Sequence, residues 1–347
     1  MRPVETVPEV APDMVVDRDG LTCAVYDLQS HRVLHVKGQH WGRCGLATES
    51  TVRTRSSALW LARLLQLKPL WAVNEVLRAE SPLASEVFDY LEGRYHITFE
   101  HTRVLELGCG FGATAVQMLE RGASSLLALD VDNTGLQMAY QRAADFGHGS
   151  RALFAQIGED GQLPARLGQF NIVIAAEVFE HVTPQTRPAL LRCLYERVAP
   201  GGVLLLSTPN RLVPKDLHTS GLWVVNFMPR SLAFRYARRF SSRCRGMDDS
   251  SLISAGLLSF SWWEARRILR DTDAVDLSLE LPPLPGSVPS SSQAGKVWNQ
   301  AAHALWRAGR WLWTCIPFDA VAGHLFLAFR RPSGGSADEP ETGGRAP

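Results

Sequence analysis

The sequence predicts an α/β protein built on a mostly parallel sheet, and three observations support this fold class. A short apolar strand, Val104–Leu107, leads into a turn with glycines at 108, 110 and 112, and a helix follows. Apolar strands and amphipathic helices then alternate as far as residue 207, which is typical of βαβ units with right-handed crossovers. The 347 residues are 46% hydrophobic and 20% charged, so the chain can bury a large core.

The segment before this strand, residues 1–80, is predicted to be an N-terminal extension that contains helices. Short apolar runs at 21–36 favour a hairpin, and leucines and tryptophans at helical spacing over 58–77 favour one or two helices around Pro69. Ser81 and Pro82 are a capping serine and a first-turn proline, so a helix is predicted to start there and run to about residue 90.

The elements after the glycine turn follow from their apolar patterns. Strands are predicted at 125–130, 152–156, 170–176, 203–207, 274–280 and 324–330, and helices at 113–121, 133–145, 185–198, 261–270 and 296–313. The predicted domain spans 81–332, with lid segments at about 211–270 and 281–322. The tail 333–347 has little to bury and is predicted to be disordered. Ligands of such sheets lie beyond the carboxyl ends of the strands.

The glycine turn indicates which ligand that edge binds. The dinucleotide fingerprint is G-x-G-x-x-G, whereas residues 108–112 have the spacing G-x-G-x-G, and Glu106 precedes them. A carboxylate at 106 would repel a pyrophosphate and attract a ligand that carries an amino group and a sulfonium. The alternative is an ordinary glycine-rich turn in another α/β protein. Asp130 ends the next strand, 20 residues after Gly110, where an acid accepts hydrogen bonds from ribose hydroxyls or merely starts a turn. Asp132 is predicted to start the following helix.

These motifs resemble those of the class I S-adenosylmethionine-dependent methyltransferases, whose first motif is hydrophobic-(D/E)-x-G-x-G-x-G. The run Leu129-Asp-Val-Asp132 resembles their second motif. The run Glu177-Val-Phe-Glu-His-Val182, followed by a strand and Thr208-Pro-Asn210, resembles the quinone-biosynthesis type of small-molecule methyltransferase. The resemblance is specific over 104–210. It implies a Rossmann-like seven-stranded, mostly parallel sheet flanked by helices, with 274–280 and 324–330 as an antiparallel edge pair and a helical lid insertion.

The resemblance also implies the cofactor, S-adenosyl-L-methionine, and the residues that bind it. Glu106 would orient the amino group, Asp130 would hold the ribose, and an acid after the third strand would meet the adenine amino group. For that acid, Glu159 and Asp160 are equal candidates, and a solvated turn is the alternative. The predicted cofactor-binding set is Glu106, Gly108, Cys109, Gly110, Gly112, Asp130, Val131, Glu159, Asp160 and Glu177.

Methyl transfer from a sulfonium is an in-line displacement, so the protein mainly aligns the reactants and removes one proton. His181 and His218 are the predicted catalytic residues, because imidazole suits that proton; a pocket-shaping role for His181 is equally compatible with the sequence. Asp216 is predicted to face the substrate. Small-RNA 2′-O-methyltransferases bind a divalent ion through E-x-x-E-H and a later histidine, which Glu177, Glu180, His181 and His218 could imitate. We nevertheless predict no metal.

Composition limits the partners. The net charge of +1 argues against a nucleic-acid binder, and no 18-residue apolar run or secretory leader is evident. Six scattered cysteines favour a reducing cytoplasm. Seven of ten tryptophans lie between 223 and 313, and 230–245 contains six arginines and no acid.

The helix 296–313 is predicted to have Lys296, His303, Arg307 and Arg310 on one side and Trp298, Leu305, Leu312 and Trp313 on the other. Such a helix is either a solvated lid face or an interfacial helix that brings the enzyme to a membrane. The predicted function is therefore methyl transfer to a small-molecule or lipid-linked acceptor, at oxygen, with possible peripheral membrane contact. A metal-assisted RNA methyltransferase, an NAD-dependent oxidoreductase and a non-catalytic relative are the alternatives. The sequence indicates neither the acceptor nor the oligomeric state.

Overall fold

The structure of the protein, a computed structural model, describes residues 7–42, 45–158, 161–164, 166–216, 218–281, 293–309 and 316–333. The chain begins with four antiparallel strands in the order β1-β2-β3-β4, followed by helices. These elements are β1 (Met14–Arg18), β2 (Leu21–Leu28), β3 (His31–Gly42), β4 (Gly45–Thr54), α1 (Ala58–Leu67), a 3₁₀ turn (Pro69–Trp71), α2 (Ala72–Glu80) and α3 (Pro82–Tyr95).

The N-terminal sheet is more than the hairpin that the sequence indicates. The strands β3 and β4 bury polar side chains in pairs; for example, His35 Nδ1 lies 2.9 Å from Thr51 Oγ1. Such polar positions mask the alternation of apolar residues on which strand prediction depends. The two-helix arrangement around Pro69 is confirmed, and Ser81 caps α3, since its hydroxyl accepts the Ala84 N–H at 3.4 Å.

The second sheet has seven strands in the order β10-β11-β9-β8-β5-β6-β7, with β11 antiparallel to both neighbours, so the predicted Rossmann-like architecture is confirmed. Its elements are β5 (Arg103–Leu107), α4 (Ala113–Glu120), β6 (Ser125–Asp130), α5 (Asn133–Asp145), β7 (Ala152–Gln156), β8 (Phe170–Ala176), α6 (Arg187–Glu196), β9 (Val198–Pro209), α7 (Arg230–Phe240), α8 (Asp249–Ser254), α9 (Trp262–Leu269), β10 (Val275–Asp276), α10 (Leu277–Glu280), α11 (Gln293–Gly309) and β11 (His324–Arg330). None of the described helices is long and apolar enough to span a membrane.

Two predictions in the last third of the chain are corrected. The strand predicted at 274–280 lasts only two residues, because Asp276 accepts the Ser278 N–H at 3.0 Å and caps α10. In α11 the predicted faces are partly exchanged. His303 packs beside Trp306 and Phe318, whereas Leu305 is exposed. The lid side chains at 310–313 and the tail from 334 lie outside the described residues.

The lid and α9 belong to different cores. Residues between 222 and 258 form their own apolar cluster around Phe234, whereas α9 packs with α6 in the main layer. The lid as observed, residues 211–258, therefore ends before α9. The N-terminal module, residues 14–80, and the lid both contribute residues at the same edge of the seven-stranded sheet.

Candidate functional site

A cleft of about 1110 Å³ opens at the carboxyl ends of β5, β6 and β8. The N-terminal module, the glycine turn, the segment after β8 and the lid all line it. The predicted residues in its wall are Gly108, Cys109, Gly110, Asp130, Val131, Glu177, His181 and His218. This is the edge at which ligands of open α/β sheets bind.

The three glycines of the turn have positive φ but different surroundings. A Cβ on Gly108 would lie 2.3 Å from Val178 Cγ2, and one on Gly112 would lie 2.8 Å from Ala139 Cα. A Cβ on Gly110 would meet no atom within 4 Å. Gly108 and Gly112 therefore permit close packing of the chain, whereas Gly110 leaves open space for a ligand. Gly112 does not line the cleft.

Asp130 connects the end of β6 to the glycine turn. Its Oδ2 accepts the Gly110 N–H at 2.7 Å, and its Oδ1 accepts the Asp132 N–H at 2.9 Å. Each carboxylate oxygen has two acceptor positions, so both oxygens can accept a further hydrogen bond from a ligand in the cleft. Asp132 accepts the Thr134 N–H at 2.9 Å and caps α5, which confirms its predicted role as a helix-start residue.

Glu106 lies in β5, two residues before the glycine turn; it is almost fully buried and is not among the residues that line the cleft. Its Oε2 has no hydrogen-bond partner. Burial, with a smaller contribution from the charge of Asp130, raises the pKa of Glu106 to about 8. Buried carboxyl groups without partners are costly, so this one is suited to a cationic ligand.

Glu177 follows β8 in a left-handed conformation, with φ +57°. Its N–H donates to the Ser207 carbonyl oxygen at 2.7 Å, and its Oε1 lies 2.9 Å from His324 Nε2. Burial acts to raise the pKa of Glu177, but the nearby His324 outweighs it, so the pKa is lowered. His324 was not among the predicted site residues, although it is the first residue of the predicted final strand 324–330.

Glu180, His181 and His218 form a cluster in which one ligand atom from each lies within 4.8 Å of the others. His181 Nδ1 donates to the Ser254 carbonyl oxygen at 2.6 Å, since a carbonyl oxygen only accepts. His181 Nε2 is then the ring's acceptor, and it lies 3.8 Å from Glu180 Oε1. Glu180 is fully buried; its Oε2 accepts the Thr208 hydroxyl at 2.9 Å, and its Oε1 has no partner.

The charges of this cluster follow from its burial. Burial, with the nearby charge of Glu177, raises the pKa of Glu180. Burial lowers the pKa of His218, whose ring centre lies 5.5 Å from that of His181. His181 and His218, which both line the cleft, thus lie beside the buried carboxyl of Glu180.

The prediction for Asp216 is wrong. Its buried carboxylate accepts the backbone N–H groups of His218, Thr219 and Ser220 and the Ser220 hydroxyl, at 2.7 to 3.1 Å. These bonds hold the loop that carries His218, so Asp216 positions the loop and does not face the cleft. Glu159 and Asp160, the predicted adenine contacts, lie outside the described residues.

The N-terminal module supplies part of the cleft. Trp41 and Trp71 stack with ring centres 5.4 Å apart, and Lys68 Nζ lies 4.5 Å from the centre of the Phe111 ring. Asn74, Glu75 and Arg78 of α2 also line the cleft. In the sequence, only the helical spacing of these three polar residues indicated that they share one face of a helix.

Residues 104–202 match the family model described as a methyltransferase domain. A ubiquinone biosynthesis O-methyltransferase of Pseudomonas aeruginosa (strain LESB58) is 30% identical over 152 residues, which are 44% of this chain and 58% of that protein. The same-named protein of Neisseria meningitidis serogroup C (strain 053442) is 28% identical over 144 residues, 41% of this chain and 58% of that protein. The chain thus spans less than two thirds of the length of these relatives. The crystal structure of an S-adenosylmethionine-dependent methyltransferase from Mesorhizobium loti has a TM-score of 0.44 and 17% identity, covering 72% of this chain and 100% of that one.

Proposed function

We propose, on the premise that residues 104–202 form a class I S-adenosylmethionine-dependent methyltransferase domain, that the chain transfers a methyl group to an oxygen of a small-molecule or lipid-linked acceptor. The observation that carries the proposal is the arrangement at the end of β5, where the buried Glu106, whose Oε2 has no hydrogen-bond partner, precedes a turn in which Gly110 leaves open space in the cleft. The relatives are named O-methyltransferases, which supports oxygen as the acceptor atom. Cys23, Cys109, Cys193 and Cys244 are free, which supports a reducing compartment such as the cytoplasm.

The residues fit this donor. S-adenosylmethionine, when bound, supplies an electrophilic methyl group on a sulfonium. Glu106 would receive the ammonium group of the donor, Asp130 its ribose hydroxyls, and Gly108, Cys109 and Gly110 would form the wall. Val131 and Glu177 lie along the same cleft, and Gly112 shapes the turn without lining it.

His181 is the proposed base. Because its Nδ1–H is held by Ser254, its Nε2 lone pair is available to take the hydroxyl proton of the acceptor as the oxygen gains the methyl group. The resulting imidazolium lies beside Glu180 Oε1, which has no other partner. His218 packs against His181 and narrows the acceptor side of the cleft.

Donor binding is expected to release a proton. The free protein holds Glu106 protonated below its pKa of about 8, whereas an ammonium ligand requires the carboxylate. Affinity for S-adenosylhomocysteine should therefore rise about tenfold per pH unit towards pH 8 and level off above it. Calorimetry in buffers of different ionisation enthalpy should count about one proton released at neutral pH. A Glu106→Gln protein should lose this pH dependence; a wild-type affinity that is flat with pH would contradict the assignment.

The enzyme activity is tested with a methyl-labelled donor and a panel of phenols, catechols and lipid-linked hydroxyl compounds. Transfer to at least one oxygen acceptor, with matching formation of S-adenosylhomocysteine, is the expected result. Transfer to nitrogen or carbon acceptors alone would overturn the choice of acceptor atom. Absence of S-adenosylhomocysteine binding by calorimetry would overturn the proposal itself.

Metal-assisted transfer, the type known from RNA 2′-O-methyltransferases, is a second candidate that one observation favours. Glu180, His181 and His218 offer one carboxylate oxygen and two imidazole nitrogens within 4.8 Å, a donor set that suits a divalent ion. Glu177, the fourth residue of the predicted set, is instead paired with His324.

Removal of divalent ions distinguishes the two candidates. Under the first proposal, dialysis against EDTA leaves turnover unchanged, and Mn²⁺ added to the protein gives the electron paramagnetic resonance spectrum of the free ion. A loss of turnover that Mg²⁺ or Mn²⁺ restores, together with a bound Mn²⁺ signal that His218→Ala removes, would favour the second.

A further inference from the structure

The lid exposes large apolar side chains on the side away from its own core. Five of them lie in the segment 223–240, three before α7 and two within it. They are Trp223, Val224, Phe227, Leu232 and Phe240, each between 47% and 62% exposed. Single exposed apolar residues are common on protein surfaces, but five within eighteen residues form a concentration that needs an explanation.

The helix α7 explains how they are arranged. Ala233, Phe234 and Ala237 face the lid core and are buried. Leu232, Arg235, Arg239 and Phe240 follow one another at helical spacing i, i+3, i+7 and i+8, and all four are exposed. One outward stripe therefore combines two apolar side chains with two guanidinium groups.

The arginines of this stripe are not neutralised. The segment 217–247 contains six arginines and no acidic residue. Arg238 pairs with Asp249 at the end of the lid, but no salt bridge among the described residues involves Arg235 or Arg239. The net charge of the whole chain is only +1, so this local excess of positive charge is a property of the lid.

We propose that Trp223, Val224, Phe227, Leu232, Arg235, Arg239 and Phe240, the docking face, bind the surface of an anionic lipid bilayer. Apolar side chains enter the boundary between headgroups and acyl chains, and arginines contact the lipid phosphates. The phosphates of RNA would complement the charge of the arginines, but RNA would leave the aliphatic side chains of Val224 and Leu232 exposed to solvent. A second copy of this chain would oppose arginine to arginine, which is unfavourable.

The docking face belongs to the same lid that lines part of the cleft. His218 and Ser254 of the lid line the cleft, and the guanidinium of Arg243 lies 5.1 Å from the centre of the Trp41 ring at its rim. A bilayer against the docking face would place the cleft beside the lipid phase. This inference rests on the proposed function, since it makes the acceptor an amphiphile that reaches His181 from a membrane.

Vesicle co-sedimentation tests the proposal. The wild-type protein should pellet with phosphatidylcholine vesicles that contain phosphatidylglycerol, and weakly with phosphatidylcholine alone. Arg235→Gln/Arg239→Gln should lower the partition coefficient about thirtyfold, since each arginine near an anionic surface contributes about a factor of five. Trp223→Ser/Phe227→Ser should abolish pelleting at physiological salt.

Two control variants test whether vesicle binding depends on the position of the arginines and apolar side chains or only on their number. Arg267→Gln/Arg270→Gln removes two exposed arginines three residues apart, one in the last turn of α9 and one directly after it, and Leu153→Ser removes an apolar side chain, 71% exposed, from the edge strand β7. Both should pellet like the wild type. Calorimetry with S-adenosylhomocysteine should be unchanged in all four variants, so a failure of docking and a failure of the donor site are distinguishable.

Three results would overturn the proposal. The first is pelleting that neither docking-face variant reduces. The second is the absence of pelleting combined with binding of single-stranded RNA that Arg235→Gln/Arg239→Gln removes. The third is a stable dimer by light scattering that Trp223→Ser/Phe227→Ser dissociates, without any vesicle binding.

Discussion

Gly110→Arg is expected to abolish binding of S-adenosylhomocysteine by calorimetry. The Cα of Gly110 faces open space, so a long side chain there is directed into the cleft instead of into the core. The same residue donates its N–H to Asp130 and has φ +50°, so an arginine would also strain the turn. Asp130→Ala should weaken the same affinity by about tenfold to a hundredfold, since hydrogen bonds to charged groups contribute about 1.5–3 kcal/mol.

Gly147 offers the matched control for this substitution. It also has a positive φ, +80°, and a Cβ on it would meet nothing within 4 Å, but it follows α5 and does not line the cleft. Gly147→Arg should therefore have a similar backbone cost and bind S-adenosylhomocysteine like the wild type. Unchanged affinity in both Gly110→Arg and Asp130→Ala would refute the donor site.

His181→Ala is expected to lower kcat by about 10²- to 10⁴-fold, the usual contribution of a positioned general base. Affinity for S-adenosylhomocysteine should change little, because Glu106, Gly110 and Asp130, the proposed main donor contacts, lie in or directly after β5 and β6, whereas His181 follows β8. Added imidazole should restore part of the lost turnover, which a role in shaping the pocket would not produce. The measurement is steady-state turnover with the best acceptor from the panel.

The control for His181→Ala is His101→Gln, whose side chain is almost fully exposed and distant from the cleft lining. It should leave kcat unchanged. If His181→Ala keeps wild-type turnover, the proton leaves without this imidazole, and proximity of the reactants alone accounts for the rate.

The parts of the fold that sequence reasoning predicts are those in which one residue type decides the local structure. The strands β6, β8 and β11 have the predicted bounds because their residues are nearly all apolar or small, as strands buried within a sheet that is covered on both faces require. The three glycines and Asp130 could be singled out for a similar reason. Backbone geometry restricts the glycine positions, and charge restricts the position of the aspartate.

The features of the fold and of the site that could not be predicted from the sequence depend on tertiary contacts. The pairing of His35 with Thr51 makes a buried strand look polar, and Asp276 stops a strand by capping a helix. Asp216 looked like a site residue, although the backbone of its own loop satisfies its carboxylate. His324 reaches Glu177 only because β11 runs antiparallel to β9, a proximity across 147 residues that no local pattern contains.

Arg142 of α5 joins the N-terminal module to the domain that contains the cleft. It is fully buried, donates to the carbonyl oxygens of Glu75 and Phe111, and lies 4.3 Å from the centre of the Trp60 ring. A fragment that starts at residue 81 would lose that indole and one of the carbonyl groups, and would leave a guanidinium beside a newly uncovered apolar surface. The helices α1 and α2, which carry Trp60 and Glu75, therefore contribute to the stability of the remainder, and deletions or chimaeras should keep them together with α5.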